Sequence, residues 1–235
     1  MPMSSTEAPT GWAVVHEDPY LIVVDKPAGL PAQPDQTGDP DLLGLLRAHT
    51  ALPDLELVHR IDRPVSGLVL FAKDADTLRI MNGMFKERAV RKTYWAIVTD
   101  RPKGTDWITL EDVLEHDTRT KRSRVVVNGS GPKTISRLRF RALSMGDRYT
   151  LVEVEPEGGA FHQIRVQLGA HGHPIKGDVK YGARRGEKDR SIALHARSLA
   201  FEHPVTGREL CVEAPAPEGS LWKALLDRIG GNSGA

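Results

Sequence analysis

The chain has 235 residues, 40% apolar and 27% charged, with 32 basic against 31 acidic side chains and a formal net charge of +1, which suits one large or two small globular domains with a substantial core. Its single cysteine, Cys211, excludes an intramolecular disulfide and a cysteine-rich zinc site. No run nears the ~18 apolar residues of a membrane span, and residues 1–11 lack the basic-then-apolar layout of a secretory signal, so a cytoplasmic protein that does not enter the membrane is expected.

After a flexible start through residue 11, segments 12–16 and 21–24 read as short strands about the turn 17–20, and the Lys26-Pro27-Ala28-Gly29 stretch breaks the pattern. Residues 41–49 form an amphipathic helix with Leu42, Leu45 and Leu46 on one side. A polar turn, 59–67, runs into a strand ending near Ala72. Asp74 or Asp76 then caps a helix to about Arg88, with Leu78, Met81 and Phe85 on its buried face. Segment 92–98 is rich in β-branched and aromatic residues and reads as a strand. Further strands are expected at 107–110, 124–127, 134–140 and 149–155, with a glycine-rich turn at 128–132. Residues 162–170 suit a helix with Ile164 and Leu168 on its inner face, and position alone makes Arg165 a surface residue. Segments 200–203 and 209–213 flank a hairpin turn, and the alternation around Cys211 suggests a buried small hydrophobe. Ser220 caps a last helix carrying Leu221, Leu225 and Ile229, followed by a flexible tail, 230–235. Strands dominate and βαβ alternation is absent. The expected fold class is α+β, with a mixed, largely antiparallel sheet and flanking helices in one domain spanning 12–229. No heptad or broad apolar stripe calls for a dimer, so a monomer is expected.

Charge is distributed unevenly. Up to Asp76 there are twelve acids against five bases, whereas 119–148 holds nine bases against the single acid Asp147. A smaller basic cluster comprises Lys176, Lys180, Arg184, Arg185, Lys188 and Arg190. Clustered bases on a near-neutral chain are the electrostatic footprint of a polyanion, although such runs also occur as plain solvated surface.

The most informative stretch is His59-Arg60-Ile61-Asp62-Arg63-Pro64-Val65-Ser66-Gly67. Asp62 lies between two arginines, and nearby positive charge favours an ionised carboxylate, a candidate nucleophile or base. The plainer alternative is a turn-forming aspartate. The stretch resembles the His-Arg-Leu-Asp-x-x-Thr-Ser-Gly signature of the RluA-type RNA pseudouridine synthases, with Val65 in place of Thr and Ile61 in place of Leu. Further stretches match that family in order: Lys26-Pro27-Ala28-Gly29, Lys92-Thr93-Tyr94, His162-Gln163-Ile164-Arg165, Gly172-His173-Pro174-Ile175, Gly177-Asp178 and Leu194-His195-Ala196.

The resemblance implies a pseudouridine synthase fold and an isomerase of uridines in structured RNA, 23S ribosomal or transfer RNA, working without cofactor or metal. It implies catalytic roles for Asp62, for Tyr94 against the uracil ring, and for Arg165 as the partner of Asp62. Arg60 would occupy the space left by a flipped uridine, and Arg63, Arg122, Arg124, His162 and Gln163 would face RNA. His59, Ser66, Gly67 and Leu194 would shape the motifs. About ten residues precede the first strand, so the auxiliary N-terminal RNA-binding domain of many members is expected to be absent. The family's Gly-Arg-Thr-His is here Gly159-Ala160-Phe161-His162, a departure expected to affect RNA positioning rather than chemistry. Two other readings stand beside this one. A catalytically idle RNA binder would not need Asp62, Tyr94 and Arg165 together, and a glycosidase-like hydrolase would need a second carboxylate at the bond. The histidines lack zinc-site spacing.

Overall fold

The computed structural model describes residues 11–102, 104–126 and 135–231. Residues 1–10, the expected turn at 128–132 and residues 232–235 lie outside the described residues. Eleven strands and four α-helices are found among the described residues: β1 (Ala13–Glu17), β2 (Leu21–Lys26), α1 (Leu42–Thr50), β3 (Glu56–Leu57), β4 (Ser66–Ala72), α2 (Ala75–Lys86), β5 (Arg91–Thr99), β6 (Ile108–Asp117), β7 (Arg122–Val125), β8 (Ile135–Met145), β9 (Tyr149–Pro156), α3 (Gln163–Ala170), β10 (Leu194–Glu202), β11 (Glu209–Glu213) and α4 (Ser220–Gly231). The class is α+β with a mixed, largely antiparallel sheet, in agreement with the expectation from the strand-rich pattern.

The chain divides into two compact units that exchange segments. One runs to Lys92 and resumes for Ala196–Pro215; the other takes Thr93–His195 and resumes at Ala216. In the first unit the strands are ordered β1-β2-β4-β10, with β11 pairing β10 and β3 pairing β4. Leu21 through Val24 are all fully buried, so β2 carries apolar residues on both faces, as does β4. Leu21, Val23, Leu68, Leu70, Met81, Leu199 and Phe201 form its core. The β1–β2 turn is held by Asp18, whose Oδ1 accepts from the amides of Tyr20 (2.7 Å) and Leu21 (2.9 Å). Asp41 caps α1 by accepting from the Gly44 amide at 3.0 Å, and Asp74, not Asp76, caps α2 by accepting from Thr77 at 2.8 Å. Each such cap contributes about 1 kcal/mol.

The second unit has the order β5-β9-β8-β6-β7, all antiparallel. Ile97, Leu151 and Leu225 form a core cluster, with Trp95, Leu143 and Trp222 packed against it. β6 is longer than its apolar stretch suggested, because cross-strand pairing carries it on: Ile108–Val113 pair with β8 and Leu114–Asp117 pair with β7. β3 and the 3-10 turn Val179–Tyr181 escape a reading by periodicity because they are too short to show one.

Two expectations are corrected. Cys211 is exposed, because the alternation of β11 turns Leu210 and Val212 to the core and places Cys211 on the other face. Helix α3 has no outer polar face: Gln163 through Leu168 are all buried, Arg165 included.

Candidate active site

In the first unit, Asp62 sits half-buried in the loop before β4. Beneath this loop lies Lys26, at the end of β2 and fully buried. Its ammonium donates to the carbonyls of Pro27 (2.9 Å), Leu30 (2.8 Å) and Arg63 (3.4 Å), tying the Lys-Pro-x-Gly loop to the Asp62 loop. The two loops also exchange hydrogen bonds directly. The Gly29 amide donates to the Arg63 carbonyl at 2.7 Å, and the Arg63 Nε donates to the Gly29 carbonyl at 2.8 Å. Burial lowers the Lys26 pKa to about 7, against the opposing pull of the Asp62 and Asp25 charges. The Lys26 ammonium is thus favoured electrostatically by the Asp62 charge against the effect of its burial.

Arg63 does not hold Asp62 as its sequence position suggested. Its guanidinium turns to Asp39 at 2.6 Å, Thr37 at 3.1 Å and Asp35 at 3.6 Å, all in the loop before α1. Those acids are far away in sequence and near in space. Arg60 is exposed. Gly67 opens β4 with φ +107, and a Cβ there would meet the Ala196 carbonyl oxygen at 2.3 Å and its nitrogen at 2.6 Å. Only glycine permits β4 to approach Ala196 so closely.

His59 is a structural anchor of the same loop. Its ring stacks on Phe85 with centroids 5.0 Å apart, its Nδ1 accepts from the Leu70 amide at 3.4 Å, and its Nε2 is shut off from solvent without a hydrogen-bond partner among the described residues. Burial, and secondarily the Lys92 charge, push its pKa down to about 3. The unfolded chain takes up this proton first, so the stabilisation from a neutral His59 is complete above about pH 6.5 and is lost as pH falls toward 3, by up to about 1.4 kcal/mol per pH unit. Asp25, pushed up to about 6 by burial, has the opposite effect below that pH. The stability difference between wild type and His59→Gln isolates the histidine. In urea unfolding series it should shrink between about pH 7 and pH 5, and a difference independent of pH would contradict this assignment.

In the second unit, β5 carries Tyr94, half-buried and opposite Val154. Arg165 on α3 is 6% exposed and forms a bidentate pair with Asp178, 1% exposed, through Nε–Oδ2 at 2.7 Å and Nη2–Oδ1 at 2.9 Å. Its guanidinium also lies 5.2 Å from the centroid of the Tyr181 ring. The amides of Tyr181 and Ala183 donate to the Asp178 carbonyl, fixing the turn that presents the acid. His162 adopts a left-handed backbone (φ 58), and its Nδ1 is hydrogen-bonded to the Tyr181 hydroxyl at 2.7 Å. Gln163 is buried, with its amide donating to the Arg137 carbonyl at 2.9 Å. Leu194 is buried at the start of β10.

Register decides what faces what. Tyr94 pairs with Val154, Val154 with Phe140, and Phe140 with Ile108. By strand alternation, Leu110, Asp112, Leu114 and His116 of β6 share the Tyr94 face, whereas Glu111, Glu115 and Asp117 lie on the other. Arg124 is opposite Glu115 and Arg122 opposite Asp117, so both expected RNA-facing arginines stand on the face away from Tyr94. Arg124 is paired with Glu115 at 2.7 Å. On the same outer face Arg137 pairs with Glu111, Arg139 with Glu155 and Arg141 with Glu153, and Trp107 lies between the last two guanidinium groups at 4.4 and 4.6 Å. Four of the nine bases of 119–148 are thus paired with acids on neighbouring strands.

Sequence reasoning missed Lys26, Asp178 and Tyr181 as site residues. The first two lie inside motifs that were noticed, Lys-Pro-x-Gly and Gly-Asp, but no spacing rule links Asp178 to Arg165. Among the described residues no group of three or more His, Cys, Asp or Glu side chains is arranged to hold a metal ion, and no helix is long and apolar enough to cross a membrane.

Residues 20–170, which contain the Asp62 loop, Tyr94 and Arg165, match the RNA pseudouridylate synthase family. The chain belongs to that family. It is 34% identical over 224 residues to the ribosomal large subunit pseudouridine synthase C of Vibrio parahaemolyticus and 33% identical over 222 residues to that of Escherichia coli, matches that cover 91% and 88% of this chain. They cover 68% and 67% of those relatives, so the chain spans about two thirds of their length. The human RNA pseudouridylate synthase domain containing 4 superposes with a TM-score of 0.69 at 27% identity, covering 92% of both chains. The human domain containing 1 gives 0.73 at 22% identity over 97% and 98% of the two chains, which speaks for the fold alone. The fold is that of the pseudouridine synthases, and membership of the family makes this chain an RNA pseudouridine synthase.

Proposed function

We propose that this enzyme isomerises specific uridines of large-subunit ribosomal RNA to pseudouridine, with Asp62 as its essential carboxylate, working as a cytoplasmic monomer in residues 12–229. The observation that carries this reading is the Asp62 loop: one half-buried carboxylate, electrostatically coupled to the buried Lys26 and presented by a glycine that cannot be replaced. The relatives named as ribosomal large-subunit enzymes support the choice of RNA. The reaction breaks the bond from uracil N1 to the ribose, turns the base and rejoins it through C5, while the C5 proton leaves to solvent and N1 takes up a proton. Asp62 initiates bond breakage, Tyr94 supports the uracil ring, and Arg165, held rigid by Asp178, presents a fixed positive charge. Arg60, exposed beside Asp62, occupies the space left when the uridine is flipped, a step that costs a few kcal/mol. His162 and Gln163 shape the floor beside Arg165. Purified protein should release tritium from C5-labelled uridine in large-subunit ribosomal RNA but not in transfer RNA. Release from transfer RNA alone would overturn the substrate choice, and release from neither would overturn the activity.

Positive charge available to RNA lies in the loop after Tyr181. Arg184, Arg185, Lys188 and Arg190 are exposed and form no ion pair among the described residues. The loop's acids are engaged: Glu187 by Lys176, and Asp189 by the Ser191 amide and hydroxyl. Reversing the charge of Arg184 and Arg185 should weaken RNA binding and flatten the dependence of log K on log salt by about 1 to 2 units. The same change at Arg122 and Arg124, on the other face, should have a smaller effect. Equal slopes for wild type and the Arg184/Arg185 variant in a salt-series titration would remove this loop from the RNA path.

A further inference from the structure

Three rings on the Tyr94 face of the second unit form one stack. The Phe161 and His162 centroids are 3.8 Å apart at an interplanar angle of 22°, and those of His116 and Phe161 are 4.1 Å apart at 31°. Two rings this close and this nearly parallel to Phe161 must occupy its opposite faces, so Phe161 is the middle of the stack. The inner end is fixed. His162 meets Tyr181 edge-on and hydrogen-bonds its hydroxyl, which accepts from the Ser123 amide at 2.9 Å, while the Ser123 hydroxyl donates to the Phe161 carbonyl. Ser123 is the cross-strand partner of His116, so one pair of residues in the β6–β7 ladder holds both ends of the assembly in register. The outer end is open to solvent: His116 is exposed. The chain departs from the family signature at this very place, with Ala160-Phe161 where Arg-Thr is usual.

We propose that this stack is a nucleobase platform, and that the outer face of His116 receives an unstacked base of the substrate RNA. The proposal rests on the reading of the chain as an RNA-modifying enzyme. Its physical basis is that every base presents a π-face, so an aromatic end cap binds RNA without reading its sequence, contributing roughly 1–3 kcal/mol per base, or about 5- to 150-fold in affinity. The inner anchoring matters because a ring already immobilised loses little freedom when a base lands on it. Ala160 in place of the arginine removes a cation, and Phe161 in place of the threonine adds a stacking surface. The two kinds of contact are distinguishable, since a lost phosphate contact changes the salt dependence of binding and a lost stacking contact does not.

The experiment is a titration of large-subunit ribosomal RNA with wild type, His116→Ala and His116→Phe at several salt concentrations, with tritium release measured on the same preparations. His116→Ala is expected to bind about 10-fold more weakly with an unchanged salt slope, and His116→Phe, which keeps a flat ring, is expected to recover most of the loss. Binding by His116→Ala equal to wild type overturns the platform, as does failure of His116→Phe to recover, or a slope flattened by about one unit, which marks a phosphate contact. Wild type that releases tritium while His116→Ala is indistinguishable from it overturns the platform alone. Wild type that neither binds nor turns over RNA overturns the platform together with the functional reading beneath it.

Discussion

Asp62→Asn is expected to lower the rate of tritium release by at least about 10³-fold while leaving RNA affinity within about threefold of wild type, because it replaces the proposed reacting carboxylate by a neutral side chain of nearly the same shape. Several bonds that shape the loop are made by the main chain and by Lys26 and Arg63. The Val65 amide donates to the Asp62 main-chain carbonyl at 3.0 Å, and the Gly29–Arg63 exchange and the three carbonyls around the Lys26 ammonium remain. Asparagine is nearly isosteric and keeps the loop filled. It also deletes the charge that favours the Lys26 ammonium, so the Lys26 pKa should fall further in the variant. Filter binding and single-turnover release on the same RNA separate the two effects, and release at the wild-type rate would remove Asp62 from the chemistry.

The second large effect concerns the buried pair. Asp178→Leu removes the bidentate carboxylate from an Arg165 guanidinium that is 6% exposed, at a cost of about 3–5 kcal/mol, which for a chain of this length lowers Tm by roughly 6–20 °C. Replacing both partners by apolar residues removes the buried charge left without its bidentate carboxylate. The double variant Arg165→Leu with Asp178→Leu should therefore recover most of the lost stability, because an apolar pair of similar volume often substitutes for a buried ion pair at little cost. Tritium release should not recover with it, since Arg165 is gone. Thermal unfolding and release measured across this four-member cycle test both halves. A double variant as unstable as Asp178→Leu would deny the charge argument, and a stable double variant with normal release would deny Arg165 its role in the site.

Much of the fold was legible because its signals are local. The caps Asp41 and Asp74, the apolar runs of β2 and β4, and the turn residues around Asp18 act within a few positions of themselves, and the structure places elements where those signals fall. Signals failed where a residue's environment comes from another strand. β6 outruns its apolar stretch because β7 and β8 extend it. Cys211 has the right pattern for a strand but the wrong face for a core, and alternation alone does not say which face is inward. Arg165 looked like a surface arginine because helical periodicity cannot foresee a carboxylate waiting in the following turn.

The sequence by itself determined the family, the fold class and the candidate carboxylate, since ordered motifs and local propensities survive without knowledge of what lies across the sheet. The tertiary structure decided the partners: Lys26 under the Asp62 loop, Asp39 for Arg63, Asp178 for Arg165, and Glu115 for Arg124. It also decided which face of the β6–β8 sheet the basic segment occupies. The reason is range. Charge and stacking act through space over a few ångströms, whereas a linear count of arginines cannot see the acids and rings that strand register brings beside them.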